Sequence, residues 1–212
     1  MTSTDQPSEP TYADRVYRSS GGIAGGVMLL LLSVWLGGDA LINGTGRTPW
    51  LALAGLLLVV PLVVAFTLRP AVFAGEDRLR IRNPFRLITV PWAAVRDVRA
   101  GYSCEVFTED AGKYQLWAVP VSLRQRKRVA RRQSRQAHDD PHNMTSVTAD
   151  VNDTKARMAQ ADQTVVELRD LAERGGLRGA ASGEPVVARW AYEVIAPAVA
   201  GLVVLIVLLA TG

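Results

Sequence analysis

Residues 78–92 read Arg-Leu-Arg-Ile-Arg-Asn-Pro-Phe-Arg-Leu-Ile-Thr-Val-Pro-Trp, and the fold turns on this stretch. Leu79 and Ile81 alternate with Arg78, Arg80 and Arg82, so an extended chain here has one apolar face and one cationic face. That is the pattern of a half-buried strand. Asn83-Pro84 marks a turn, because proline biases the residue before it away from the helical region. Leu87 to Val90 resume a β-branched run that ends at Pro91-Trp92, which predicts a hairpin.

The neighbouring segments extend the same reading. Val72 and Phe73 precede a Gly75-Glu76-Asp77 turn, and Trp92-Ala93-Ala94-Val95 predicts a short helical turn before an extended run from Val95 to Ala100 that Gly101 breaks. Cys104, Val106 and Thr108 alternate with Glu105, Phe107 and Glu109. Asp110-Ala111-Gly112 then closes a second hairpin, and Lys113 to Val119 return. Five or six short antiparallel strands are expected. A sheet this small needs closure into a partial barrel, or a covering helix, to hide its apolar face and its edges. Cys104, the one cysteine, excludes an intramolecular disulfide and is expected as a small buried side chain.

The run from Val72 to Pro120, with Leu-Arg-Ile-Arg-Asn-Pro-Phe, Val-Pro-Trp-Ala-Ala-Val and Tyr-Gln-Leu-Trp-Ala-Val-Pro, resembles the bacterial PH-like domain of the actinobacterial low-molecular-weight protein antigen six family. Residues Pro91 to Val95 are the most specific piece, and the Arg- and Ala-rich composition also looks actinobacterial. The resemblance implies a small α+β domain over about residues 69–123, an antiparallel sheet or partial barrel with a C-terminal helix, in a membrane-associated protein. It brings no catalytic residues with it.

Around this core the chain is apolar, with 49% hydrophobic residues concentrated in three blocks, which points to a membrane protein. Residues 1–20 are polar and are expected as a disordered tail. Residues 21–68 predict a transmembrane hairpin, with spans at about 21–42 and 50–68 around a Gly-containing turn. A cleaved signal peptide is not expected, because no small-x-small site follows and a second span comes almost at once. Asp39 is expected at the bilayer interface, Trp50 at the headgroup boundary, and Pro61 as a kink. Gly21-x-x-x-Gly25 and Gly22-x-x-x-Gly26 in the first span, with Ala196 and Ala200 in the third, predict close packing of those two helices.

After Pro120 the sequence changes character. Arg124, Arg126, Lys127, Arg128, Arg131, Arg132 and Arg135 occur without an intervening acid, and the region 124–161 reads as a basic segment followed by a disordered linker. Residues 162–175 predict an amphipathic helix with Val165, Leu168, Leu171 and Ala172 on one face, Thr164 and Glu167 as a capping box and Gly175-Gly176 as its stop. The open sheet face is its expected partner. Arg189-Trp190-Ala191-Tyr192 reads as an interfacial anchor to a third span within residues 190–211. Arg15, Arg18 and Arg47 aside, the other 21 of the 24 Lys and Arg lie between Arg69 and Arg189. The positive-inside rule therefore places the N-terminus and the sheet in the cytoplasm of a bacterial cell, with the C-terminus outside the inner membrane.

For function, the sequence favours a binding or scaffold protein acting at the cytoplasmic membrane surface. Candidate lipid- or partner-binding residues are Arg78, Arg80, Arg82 and Arg86 of the hairpin together with the basic run from Arg124 to Arg135. Partners are anionic lipid headgroups, an unidentified protein, or further copies of the chain; nucleic acid is not expected, since no recognition fold accompanies the charge. The alternative is a small subunit of a larger membrane transport or envelope-biogenesis complex. No Gly-rich phosphate loop and no nucleophile beside a base is present, so neither an enzyme nor a cofactor is expected. His138-Asp139-Asp140-Pro141-His142 contains metal-ligand types in a Pro-broken stretch without supporting ligands, so no metal is expected either.

Overall fold

A computed structural model describes residues 14–121, 160–179 and 184–211. Two antiparallel sheets share one core. The first has the order β1-β2-β3-β4-β8, formed by Arg15–Tyr17 (β1), Ala71–Ala74 (β2), Arg78–Arg82 (β3), Arg86–Pro91 (β4) and Val187–Trp190 (β8). The second is Val95–Ala100 (β5), Cys104–Thr108 (β6) and Lys113–Gln115 (β7) in sequence order. A helix, Gln160–Gly179 (α3), lies against them. Three more helices, Ser20–Asn43 (α1), Thr48–Val63 (α2) and Tyr192–Ala210 (α4), form a separate apolar bundle.

The hairpin forms where the alternation places it. Leu79 pairs with Val90 and Ile81 with Ile88, and all four are buried, while Arg78 and Arg80 are exposed. Turns close on backbone hydrogen bonds, from Gly75 N–H to the Arg78 carbonyl at 3.0 Å and from Asn83 N–H to the Arg86 carbonyl at 2.8 Å. Residues Trp92–Ala94 make one 3₁₀ turn that passes the chain from the first sheet to the second. At the β6–β7 turn Ala111 takes a φ of 58°, and Thr108 N–H reaches the Gly112 carbonyl at 3.0 Å.

The core fills from three sides. Leu79, Ile81, Ile88 and Val90 meet Val98, Cys104 and Val106 of the second sheet and Val165, Leu168 and Leu171 of α3. Each such side chain contributes about 1.5–3 kcal/mol when fully buried. Arg169 of α3 adds a polar tie, with Nε 2.8 Å from the Val98 carbonyl and 3.2 Å from Asp97 Oδ1. The expected covering helix is therefore present.

Several boundaries differ from the sequence expectation. The N-terminal region is not a tail throughout, because residues 15–17 pair antiparallel with β2. Three residues suffice there, since β2 supplies the ladder and Tyr17 packs against the core. Arg189 and Trp190 belong to a strand paired with β4 and not to a third helix, which begins at Tyr192. The two-sheet module thus reaches beyond residues 69–123 to include β1, α3 and β8. Gly175-Gly176 does not stop α3, because a side chain at 175 would fill the place of Trp92 and the helix runs on to Gly179. Thr164 is buried inside α3, and Glu167 accepts a 2.8 Å hydrogen bond from the Tyr17 hydroxyl, so these two residues form no capping box.

The bundle is centred on α2, which packs with both α1 and α4. Past Pro61 it departs from α geometry into a π turn, Val64–Leu68, and the whole helix Thr48–Leu68 is long and apolar enough to cross a membrane, as are α1 and α4. Met28, Leu31, Trp35 and Leu209 point outward, more apolar surface than a water-soluble bundle exposes. The predicted face between the first and third helices gives way to α2. A β-carbon at Gly26 would lie 2.6 Å from Thr67 Cβ, and one at Gly201 would lie 2.5 Å from Leu58 N. Gly22 sits by its own cap, Ser19, whereas Gly21, Gly25, Ala196 and Ala200 are exposed. At the end away from the sheets, Asp39 accepts a 2.7 Å hydrogen bond from Asn43, and Arg47 donates to the Leu208 carbonyl near the end of α4.

Candidate functional site

Three strands of the first sheet run almost directly into the three apolar helices. Only Arg18 and Ser19 separate β1 from α1, Arg69 and Pro70 separate the π turn from β2, and Ala191 alone separates β8 from α4. Links this short hold the sheet close to the bundle, and they fix which end of each strand faces it. The β3–β4 turn, Asn83 to Phe85, is at that end.

Asn83 ties the elements together. Its carbonyl accepts from Arg69 Nε at 3.3 Å, its Nδ2 donates to the Gln115 carbonyl at 2.8 Å, and its Oδ1 accepts from Trp117 N–H at 3.3 Å. Phe66 of the π turn meets Phe85 edge-on at 5.2 Å and Trp117 at 5.7 Å. Ala191 N–H donates to the Phe85 carbonyl at 2.9 Å. Sequence pattern marked Asn83 only as a turn residue, and nothing local to it signals these partners.

Around this junction stands a rim of arginines. Arg82 pairs across with Leu87, which in turn pairs with Arg189, so both guanidinium-bearing residues share the outer sheet face one row from the bundle. Arg86 pairs with Trp190 and stacks its guanidinium over the indole, 4.2 Å from the ring centroid. Trp190 is 51% exposed. Arg69 is held by Glu193 at 2.7 Å, while Arg82 lies 5.3 Å from the Phe73 ring centroid.

The four hairpin arginines therefore do not form one patch. Arg82 and Arg86 stand at the bundle end on opposite faces, Arg86 being in step with buried Ile88 and Val90; Arg80 shares the Phe73 ring with Arg82 and is ion-paired to Asp14, and Arg78 stands at the far end of β3 beside Pro91. The rim also recruits Arg69 and Arg189, for which the flanking-anchor signal at Arg189-Trp190 was the only sequence sign. The basic run from Arg124 to Arg135 and the His138–His142 stretch lie outside the described residues. What is visible is where the run departs. Residues Ala118 to Pro120 share a cleft of about 330 Å³ with Arg18, Ser19, Gly21 and Ala161, so the chain leaves beside the start of α1 and re-enters there in α3.

Three ionisable groups near the core are shifted. Burial, aided by the Glu167 carboxylate, pushes the Tyr17 hydroxyl up to about 12. The hydrogen bond from Arg99, with further support from Val98 N–H and Arg169, holds Asp97 below the usual carboxylate range. Ser103 and then Lys113 do the same for Glu105. All three shifts come from structural contacts.

No curated protein and no solved structure matches the chain. Residues 69–173, the stretch from the end of the second apolar helix through most of α3, match the family model for a bacterial PH domain.

Proposed function

We propose that the chain is a three-span protein of the bacterial inner membrane whose PH-like domain is an interaction module held at the cytoplasmic surface, where the arginine rim contacts anionic lipid headgroups. One observation carries this reading: Arg86 is stacked on Trp190, two residues before a helix fit to cross the bilayer. An amphipathic aromatic at that depth sits in the headgroup layer, and the cation above it meets phosphate. Arg82 and Arg189, one residue out of step, bring cations to the opposite face of the sheet at the same bundle-proximal end. Residues 118–120, which precede the basic run from Arg124 to Arg135 in sequence, lie beside the start of α1, and each cation of the run that reaches an anionic surface adds up to about 1 kcal/mol. The module acts by binding and has no catalytic part in this account.

A second reading, membership in a larger membrane assembly, draws on the exposed small-residue face of α1. Gly21 and Gly25 have no atom within 4 Å of a β-carbon position, which leaves room for another helix. Native mass spectrometry of the full chain released from mixed-lipid nanodiscs separates the two readings. Retained phosphatidylglycerol that is lost in R82Q/R86Q/R189Q supports the lipid site; a stable protein partner without retained anionic lipid supports the assembly.

A further inference from the structure

At the end of the module remote from the bundle, the 3₁₀ turn and the last turns of α3 leave an open groove of about 1020 Å³. Trp92, Val95, Ala172 and Val186 make it apolar, and Leu177 stands on its lip, 86% exposed. Glu109, Asp110, Glu173 and Glu184 also line it, and among the described residues no Lys, Arg or His does. All four carboxylates are exposed, and none is in an ion pair among the described residues.

We propose that this groove docks a short basic peptide segment of a partner protein, with an apolar side chain seated between Trp92 and Leu177 and flanking Lys or Arg residues against the four carboxylates. Charge complementarity selects this occupant. Carboxylates gathered around an apolar trough repel one another and any anionic ligand, and a cationic segment relieves that repulsion while covering Leu177. The groove is too open for a small molecule to be enclosed, and its exposed apolar lining suits a peptide side chain. The described chain stops at Val121, beside the opposite end of the module, and occupancy by the chain's own basic run is an outcome of the test below. The proposal is independent of the arginine rim: one end of the module faces phosphate, the other a cationic peptide.

The test uses the full chain in neutral phosphatidylcholine nanodiscs and a fluorescein-labelled peptide, Arg-Arg-Gly-Leu-Leu-Gly-Arg-Arg, read by anisotropy at low salt. Saturable binding is expected, weakened by about tenfold or more in E109Q/D110N/E173Q/E184Q and by a smaller factor in L177S. Both variants alter exposed side chains, and an unchanged unfolding midpoint confirms that each is folded. A peptide with Glu in place of Arg should not bind. No saturable binding, equal binding by the neutralised variant, or preference for the Glu peptide each overturns the proposal. So does a tenfold gain in affinity when the seven basic residues from Arg124 to Arg135 become Gln, because the chain's own run would then be the occupant.

Discussion

Gly175 lies against the indole of Trp92, so closely that a β-carbon at 175 would stand 2.6 Å from Trp92 Cγ. The indole is also fixed by its Nε1–H, which donates to the Gly75 carbonyl at 3.0 Å. Helix, 3₁₀ turn and β2–β3 turn are thereby locked at one point. Gly175→Ala should destabilise the module by about 1–3 kcal/mol, because neither ring nor helix can give way without strain. Gly176→Ala is the control: its nearest neighbour is the Trp92 carbonyl oxygen at 3.9 Å, and helix propensity predicts a gain of about 0.5–1 kcal/mol. Chemical denaturation of the two variants in detergent measures both.

The bundle offers a similar pair. Gly201→Val would force α4 away from Leu57 and Leu58 of α2 and should cost about 2 kcal/mol or more, whereas Ala200→Val points outward and should be near neutral. Thermal unfolding in a mild detergent distinguishes them. Equal effects would mean that α4 packs through the Ala196–Ala200 face instead.

Acid stability follows from Asp97. Its folded pKa lies below the unfolded value of about 3.9, so its contribution is present above that value and is lost as pH falls through the folded one. Asp97→Asn should remove about 1 kcal/mol or less at neutral pH and flatten the acid limb of the stability profile. A variant whose profile stays parallel to wild type down to pH 2 contradicts the assignment.

Orientation can be read at Tyr102, which is 93% exposed in the β5–β6 loop. In a Cys104→Ala background, Tyr102→Cys should react with a membrane-impermeant thiol reagent only after permeabilisation, and Gly46→Cys in the α1–α2 turn should react in intact cells. The reverse pattern would place the module outside. Cys104 itself cannot report, because it is buried.

The strands between Ala71 and Gln115 were legible because period-two alternation and turn residues such as Gly75, Asn83-Pro84 and Gly112 act locally. Residues 15–17 and 187–190 were not, since Arg-Val-Tyr and Val-Ala-Arg-Trp are too short to show a period and their partners lie far off in sequence. Gly175 misled for a different reason: a glycine near a helix end reads as a stop, and only the position of Trp92 shows that it serves close approach. Likewise the arginines of β3 and β4 were visible as charge. Which of them face the bundle depends on strand direction, and that was set by the short links to α1, α2 and α4.

The claim that the arginine rim contacts anionic headgroups is tested most directly by thermal unfolding of the full chain in nanodiscs of pure phosphatidylcholine and of a phosphatidylcholine–phosphatidylglycerol mixture. Wild type should unfold at higher temperature in the anionic discs, and the gain should shrink as salt rises. R82Q/R86Q/R189Q should lose most of it while matching wild type in neutral discs. An equal gain in the triple variant, or none in wild type, contradicts the account.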